Sequence, residues 1–206
     1  QGSFPAATLR NPDLPPERRL SWLFELGPFL QSIMDSNWNK HQHEPWDSEG
    51  NLEYKRYFIR LHECPRASEA ELPFDAAPTS YVAATGLGTD AALLPKSESR
   101  AGVFGYDRQT SMREISDGLS DTIMVIETDF QVGPWLAGGP PTARGLDSEA
   151  LSYLGRGRPF GGLHRGGTMA VFADGTVHFI RDTIDREALE ALFTIARGDQ
   201  PGSVAD

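Results

Sequence analysis

Apolar positions along the chain fall into a few short runs, separated by long polar stretches rich in Gly and Pro. The first run, RRLSWLFELGPFLQSIM, spaces Leu20, Leu23, Phe24, Phe29, Leu30 and Ile33 as one buried helical face. Gly27–Pro28 interrupts it, which predicts a kink or two short helices rather than a straight rod. Asn51 stands where it would cap a second helix, NLEYKRYFIRL, ending before Cys64–Pro65. TSYVAAT (79–85) reads as a short strand, and SMREISDG (111–118) as a helical turn running into a Gly stop. TIMVIE (122–127) is apolar on both faces, as a central strand is. The chain then turns irregular as far as residue 163, a length of loop that is often functional.

The clearest pattern follows. TMAVFA (168–173), Asp174–Gly175 and TVHFI (176–180) predict a β-hairpin on a two-residue type I′ turn. That register sets Phe172 opposite Val177 and Ala170 opposite Phe179, with Phe172 and Phe179 sharing a buried face. A last helix is predicted from an Asp185 N-cap through EALEALFTIAR to Gly198, burying Leu189, Leu192, Phe193 and Ala196. The whole pattern predicts one α+β domain over residues 1–206.

Composition narrows the function. A hydrophobic content of 39% over 206 residues supports a sizeable core. With 19 basic against 29 acidic residues the net charge is −10, which argues against nucleic acid as a partner. The single Cys64 excludes an internal disulfide and a Cys-rich zinc site. No apolar run approaches the roughly 18 residues of a membrane span. The chain opens at Gln1, with no initiator Met and no signal peptide, as a processed or truncated start would.

Among candidate chemical groups His164 stands out, flanked by Gly161–Gly162 and Gly166–Gly167. An imidazole there can bind metal or titrate; it can also tie a Gly-rich loop to a neighbouring carbonyl or carboxylate, which is the expected role. No Ser, Cys or carboxylate stands at the spacing of a recognisable triad, so no catalysis is expected. His41-x-His43 with Glu44 and Asp47 is a possible chelate, expected instead to be a solvated loop, and His178 is expected on a sheet face. Asp117, Asp121 and Asp174 are candidate calcium oxygens, but the D-x-[DN]-x-[DN]-G pattern is missing and the three suit helix-stop and turn roles. No metal or other cofactor is expected. Trp22 fits the core, while Trp46 and Trp135 follow Pro in loops and are candidates for a sugar-binding surface. Gly86-x-Gly88 and the glycines of 155–167 lack the strand–loop–helix context of a phosphate cradle.

A series of stretches in order resembles the large planctomycete family known as DUF1559, whose members start with a type IV prepilin-like segment. They are FPAA (4–7), LPPERRLSW (14–22), Pro45–Trp46–Asp47 with Asn51, Cys64–Pro65, TSYVAATG (79–86) and GVFG (102–105). ISDGLSDTIMVIE (115–127), Pro134–Trp135, HRGG (164–167) and VFADGTVHFI (171–180) continue the series. His164, Gly166, Gly167, Asp174 and Gly175 fall on the family's motif positions. In the family a hydrophobic N-terminal helix with a prepilin cleavage site precedes the FP segment, and its absence here is expected of a chain cut just past that helix. The family also often closes on a Gly-Gly-Glu-like end, where this chain has Gly198–Asp199–Gln200–Pro201.

The resemblance implies a pilin-like head with an antiparallel β-sheet, short helices and long irregular loops. It implies a structural, non-enzymatic subunit of the cell envelope, periplasmic or extracellular, anchored in full length by the N-terminal helix. Its partners would be other pilin-like subunits or components of type II secretion, reached through that helix, so the chain as given is expected to be monomeric. The alternative is an extracytoplasmic module that presents loops near 128–163 to a glycan or small solute, in line with a solute-binding label the family has also carried.

Overall fold

Five strands form one sheet in the computed structural model, which describes residues 2–29, 39–51, 54, 62–67 and 76–199. They are β1 (Tyr81–Leu87), β2 (Ile123–Glu127), β3 (Ala143–Leu146), β4 (Gly167–Phe172) and β5 (Val177–Arg181), in the spatial order β3-β1-β2-β4-β5. The fold class is α+β. β1 pairs antiparallel with β2, β2 with β4 and β4 with β5, but β3 runs parallel to β1, so the sheet is mixed rather than wholly antiparallel. β3 lies inside the stretch expected to be irregular. Its four residues, ARGL, carry no β-branched side chain and no alternation, so nothing local marks them as strand.

β1 and β2 are buried on both faces, as their continuous apolar character predicts. One face gathers Val82, Ala84, Ile126, Ala170, Phe172 and Ile180 into a core with Leu189 and Leu192 of the helix α1 (Arg186–Leu192). The other gathers Ala83 and Val125 with Trp22, Phe24, Phe104 and Trp135. The first apolar run forms a 3-10 turn (Pro16–Arg18) and a 3-10 helix (Trp22–Phe29) with Pro28 inside it, not an α-helix. Its N–H groups are drawn elsewhere: Ser21 N–H donates to the Leu136 carbonyl and Trp22 N–H to that of Ala7. Leu20, Trp22, Leu23 and Phe24 are buried, whereas Phe29 is exposed. Leu30, Ile33, Trp38 and nearly all of the expected 51–61 helix lie outside the described residues. Among the described residues no helix is long and apolar enough to cross a membrane.

The hairpin forms, but one residue out of the expected register. Val177 faces Val171, His178 faces Ala170 and Phe179 faces Met169. Its loop is not the type I′ turn, which needs positive φ at both central residues. Here Gly175 has φ 87° and Asp174 does not share that conformation. Gly175 N–H donates to the Phe172 carbonyl and Phe172 N–H to that of Thr176, which leaves a three-residue loop closed by a left-handed Gly. The Asp174 carboxylate accepts from the Thr176 N–H (2.9 Å) and hydroxyl (2.7 Å), holding the turn. A one-residue change of register exchanges the sheet faces. Phe172 therefore stays in the core at 3% exposure while Phe179, expected beside it, is 43% exposed.

α1 is also shorter than its periodicity predicts. It ends at Leu192, and Ala196 is exposed. Asp117 accepts from the backbone N–H groups of Arg197 (2.8 Å) and Gly198 (2.9 Å), and Ile195 N–H donates to the Ala101 carbonyl. These long-range bonds pull the chain off the helical path. A second long-range anchor is Arg108, whose guanidinium donates to the carbonyls of Thr85, Ala91, Leu94, Gly102 and Phe104. Burial lowers its pKa to about 10, so it remains a cation at neutral pH.

Candidate functional site

Three segments meet where β2 ends. Glu127 is the last residue of β2, opposite Tyr81 of β1, and its Oε2 accepts the Met169 N–H of β4 at 3.1 Å. His164 lies just before β4, where Gly166, with φ 82°, allows the chain to fold back so that His164 bridges to Gly167. Gly167 itself leaves no room for a side chain: a Cβ there would lie 2.2 Å from the Ile180 carbonyl oxygen. Cys64 sits in a turn closed by the Ala67 N–H on its carbonyl. The His164 Nε2 lies 3.1 Å from Glu127 Oε2 and 3.4 Å from Cys64 Sγ. Cys64 and Glu127 are buried, and the His164 side chain is 25% exposed, so solvent reaches the group from the imidazole side. Burial pushes the Cys64 thiol up, and the nearby charge of Glu127 adds to the shift. Burial, followed by the charges of Glu127 and Cys64, pushes Tyr81 up to about 12.

His164 thus meets a carboxylate and a thiol together. Its Gly-flanked position pointed to it in the sequence. Cys64 and Glu127 were not visible as partners, since a lone Cys and a strand-end Glu carry no spacing signal.

A second feature is a cavity of about 510 Å³ on the β3 side of the sheet, lined among others by Tyr106, Phe130, Gln131, Arg144, Asp147 and Pro159. Arg144 of β3 donates through Nη1 to the Phe130 carbonyl at 3.0 Å. Its Nε and Nη2 are buried without a protein partner. Burial lowers its pKa to about 10. Gln131 at the cavity has φ 49°, a left-handed backbone uncommon outside Gly.

The remaining candidates fall elsewhere. Trp135 is not a surface residue: it is 0% exposed and packs its ring on His62 at 5.0 Å. Burial lowers that imidazole to about 4. Trp46 is half-buried against the core and donates its Nε1–H to the Glu17 carbonyl at 3.0 Å, so it pins its own loop. Both oxygens of Asp117 are taken up by the backbone after α1. Asp121 accepts from Ser120, and Asp174 serves the hairpin turn. His41 Nδ1 pairs with Glu44 at 2.7 Å while Asp47 pairs with Arg18 at 3.0 Å, so that stretch splits between two partners. His178 is exposed and contacts Thr176. Among the described residues, Cys64, Glu127 and His164 are the one group of three or more metal-ligating side chains that converges.

An α+β domain with a mixed sheet and a Cys–Glu–His cluster at a strand end is the class these features define. The chain belongs to a family described as "Protein of unknown function (DUF1559)", whose model matches residues 1–135 and 136–187. No curated protein and no solved structure matches it.

Proposed function

We propose that this domain is the globular head of a pilin- or pseudopilin-like subunit of the cell envelope, with a structural rather than an enzymatic role. One observation carries the reading: the bare outer edge of the sheet. β5 pairs with β4 on one side and, among the described residues, with no strand on the other. On it Val177 is 55% and Phe179 43% exposed, and the register aligns them with the half-buried Val171 and Met169 of β4. An apolar stripe beside unpaired backbone groups is unusual on a protein of net charge −10. It suits a surface covered on assembly, by a neighbouring subunit or by the anchoring helix that such subunits carry. Without that helix the acidic head repels its copies and stays monomeric at micromolar concentration. Val177→Lys with Phe179→Lys in the membrane-anchored form should abolish cross-linkable multimers in the envelope without lowering the melting temperature of the head. Multimers at the unaltered level would overturn the reading.

The cavity at Arg144 favours a second reading, a module that binds a small solute. Its volume suits a small ligand, and a buried guanidinium with unpartnered N–H groups suits an anionic one. Calorimetry with uronic acids as probes tests it: binding lost in Arg144→Met supports this reading, and no heat from the unaltered chain counts against it.

A further inference from the structure

We propose that Cys64, Glu127 and His164 form a binding site for a divalent transition ion of the zinc class, with a fourth coordination position open to solvent. The three ligand atoms come from segments far apart in the chain, Cys64 and His164 being 100 residues apart. They nevertheless lie within 4.8 Å of one another.

Two of the three spacings are those of a coordination sphere, and the third lies within 4.8 Å. A tetrahedral zinc with bonds of about 2.3 Å to sulfur and 2.0–2.1 Å to nitrogen and oxygen holds S and N about 3.5 Å apart, and N and O about 3.3 Å apart. The corresponding separations here are 3.4 Å and 3.1 Å.

The alternative of a Cys–His–Glu catalytic triad does not fit. In a triad the imidazole serves the nucleophile with one nitrogen and the orienting acid with the other. Here both partners crowd the same Nε2. One nitrogen carries a single proton or a single lone pair, so it makes one of these contacts well as a hydrogen bond. An ion between the three satisfies all of them at once.

Charge points the same way. Glu127 is buried, and among the described residues no Lys or Arg pairs with it. A buried carboxylate without a fixed cation is costly, and a bound dication removes that cost. The mixed S, N, O donor set selects zinc or cobalt over calcium or magnesium, which take oxygen ligands. Binding replaces the thiol proton, released to solvent, with a metal–sulfur bond and leaves no change of oxidation state. The ion would clip the Cys64 turn, the end of β2 and the loop before β4 into one unit. The site rests on neither functional reading above.

Cobalt(II) added to the reduced, chelator-stripped chain reads the site directly. A thiolate-to-cobalt charge-transfer band and the strong visible bands of tetrahedral cobalt are expected, and zinc should bleach both. Cys64→Ser should remove the charge-transfer band, and His164→Gln should weaken cobalt binding at least tenfold. His41→Ala should change neither. Absence of the band in the unaltered chain overturns the proposal whether or not the variants fold, and so does a band that survives Cys64→Ser.

Discussion

At one edge of the sheet β3 is four residues long and half-buried, while at the other β5 leaves four of its five residues exposed. β3 is closed in by its neighbours. Gly145 lies so close to β1 that a Cβ would meet the Gly88 carbonyl oxygen at 2.4 Å and that of Gly86 at 2.7 Å. The Ala91–Leu93 turn packs against both β1 and β3. The irregular chain on either side of β3 then encloses the Arg144 cavity. β5, by contrast, is held by β4 and the hairpin turn, and Ile180 is its one buried residue. An edge strand can be protected by being short and covered or left ready for another partner. Here β3 is the short, covered edge and β5 the exposed one.

The largest test of that contrast is Arg108, which ties the closed edge to the loops around it. Arg108→Ala removes the donors to five backbone carbonyls and should cost about 3–5 kcal/mol in denaturant unfolding, since bonds from a charged donor are the stronger kind. A loss under about 1 kcal/mol would mean that the closed edge does not depend on it. The hairpin offers a paired test of register. Phe172→Ala should cost about 3 kcal/mol or more, and Phe179→Ala less than about 1 kcal/mol, because only the first empties a packed site. Equal losses would restore the type I′ register with both rings on one face. Gly145→Ala should cost about 1–3 kcal/mol by forcing β3 away from β1, read as a lower midpoint with an unchanged m-value. The smallest effect belongs to the open edge: Val177→Thr should change stability by about 0.5 kcal/mol or less in the isolated head. A larger loss there would show that β5 is packed after all.

Local physical chemistry accounts for what was legible. Glu114 and Ser111 form a capping box at the turn the sequence marks, and β2 is the central strand that its apolar run predicts. The Leu189, Leu192 and Phe193 face of α1 is buried as its spacing requires. Each of these signals is contained within a few consecutive residues. Pattern and structure part where a short stretch has two solutions. Asp-Gly serves both a two-residue type I′ loop and the three-residue loop found here, and the choice reverses which Phe is buried.

By itself, then, the chain's pattern determined the α+β class, the central strand, the existence of the hairpin and the prominence of His164. Tertiary structure alone decided the hairpin register, the parallel β3, the burial of Trp135 and the meeting of His164 with Cys64 and Glu127. The reason is physical. Propensity, capping and turn chemistry act over a few residues, whereas register and ligand convergence follow from how distant segments pack. A carboxylate at the end of one strand and a thiol 100 residues from its imidazole become a site only when the sheet brings their segments together.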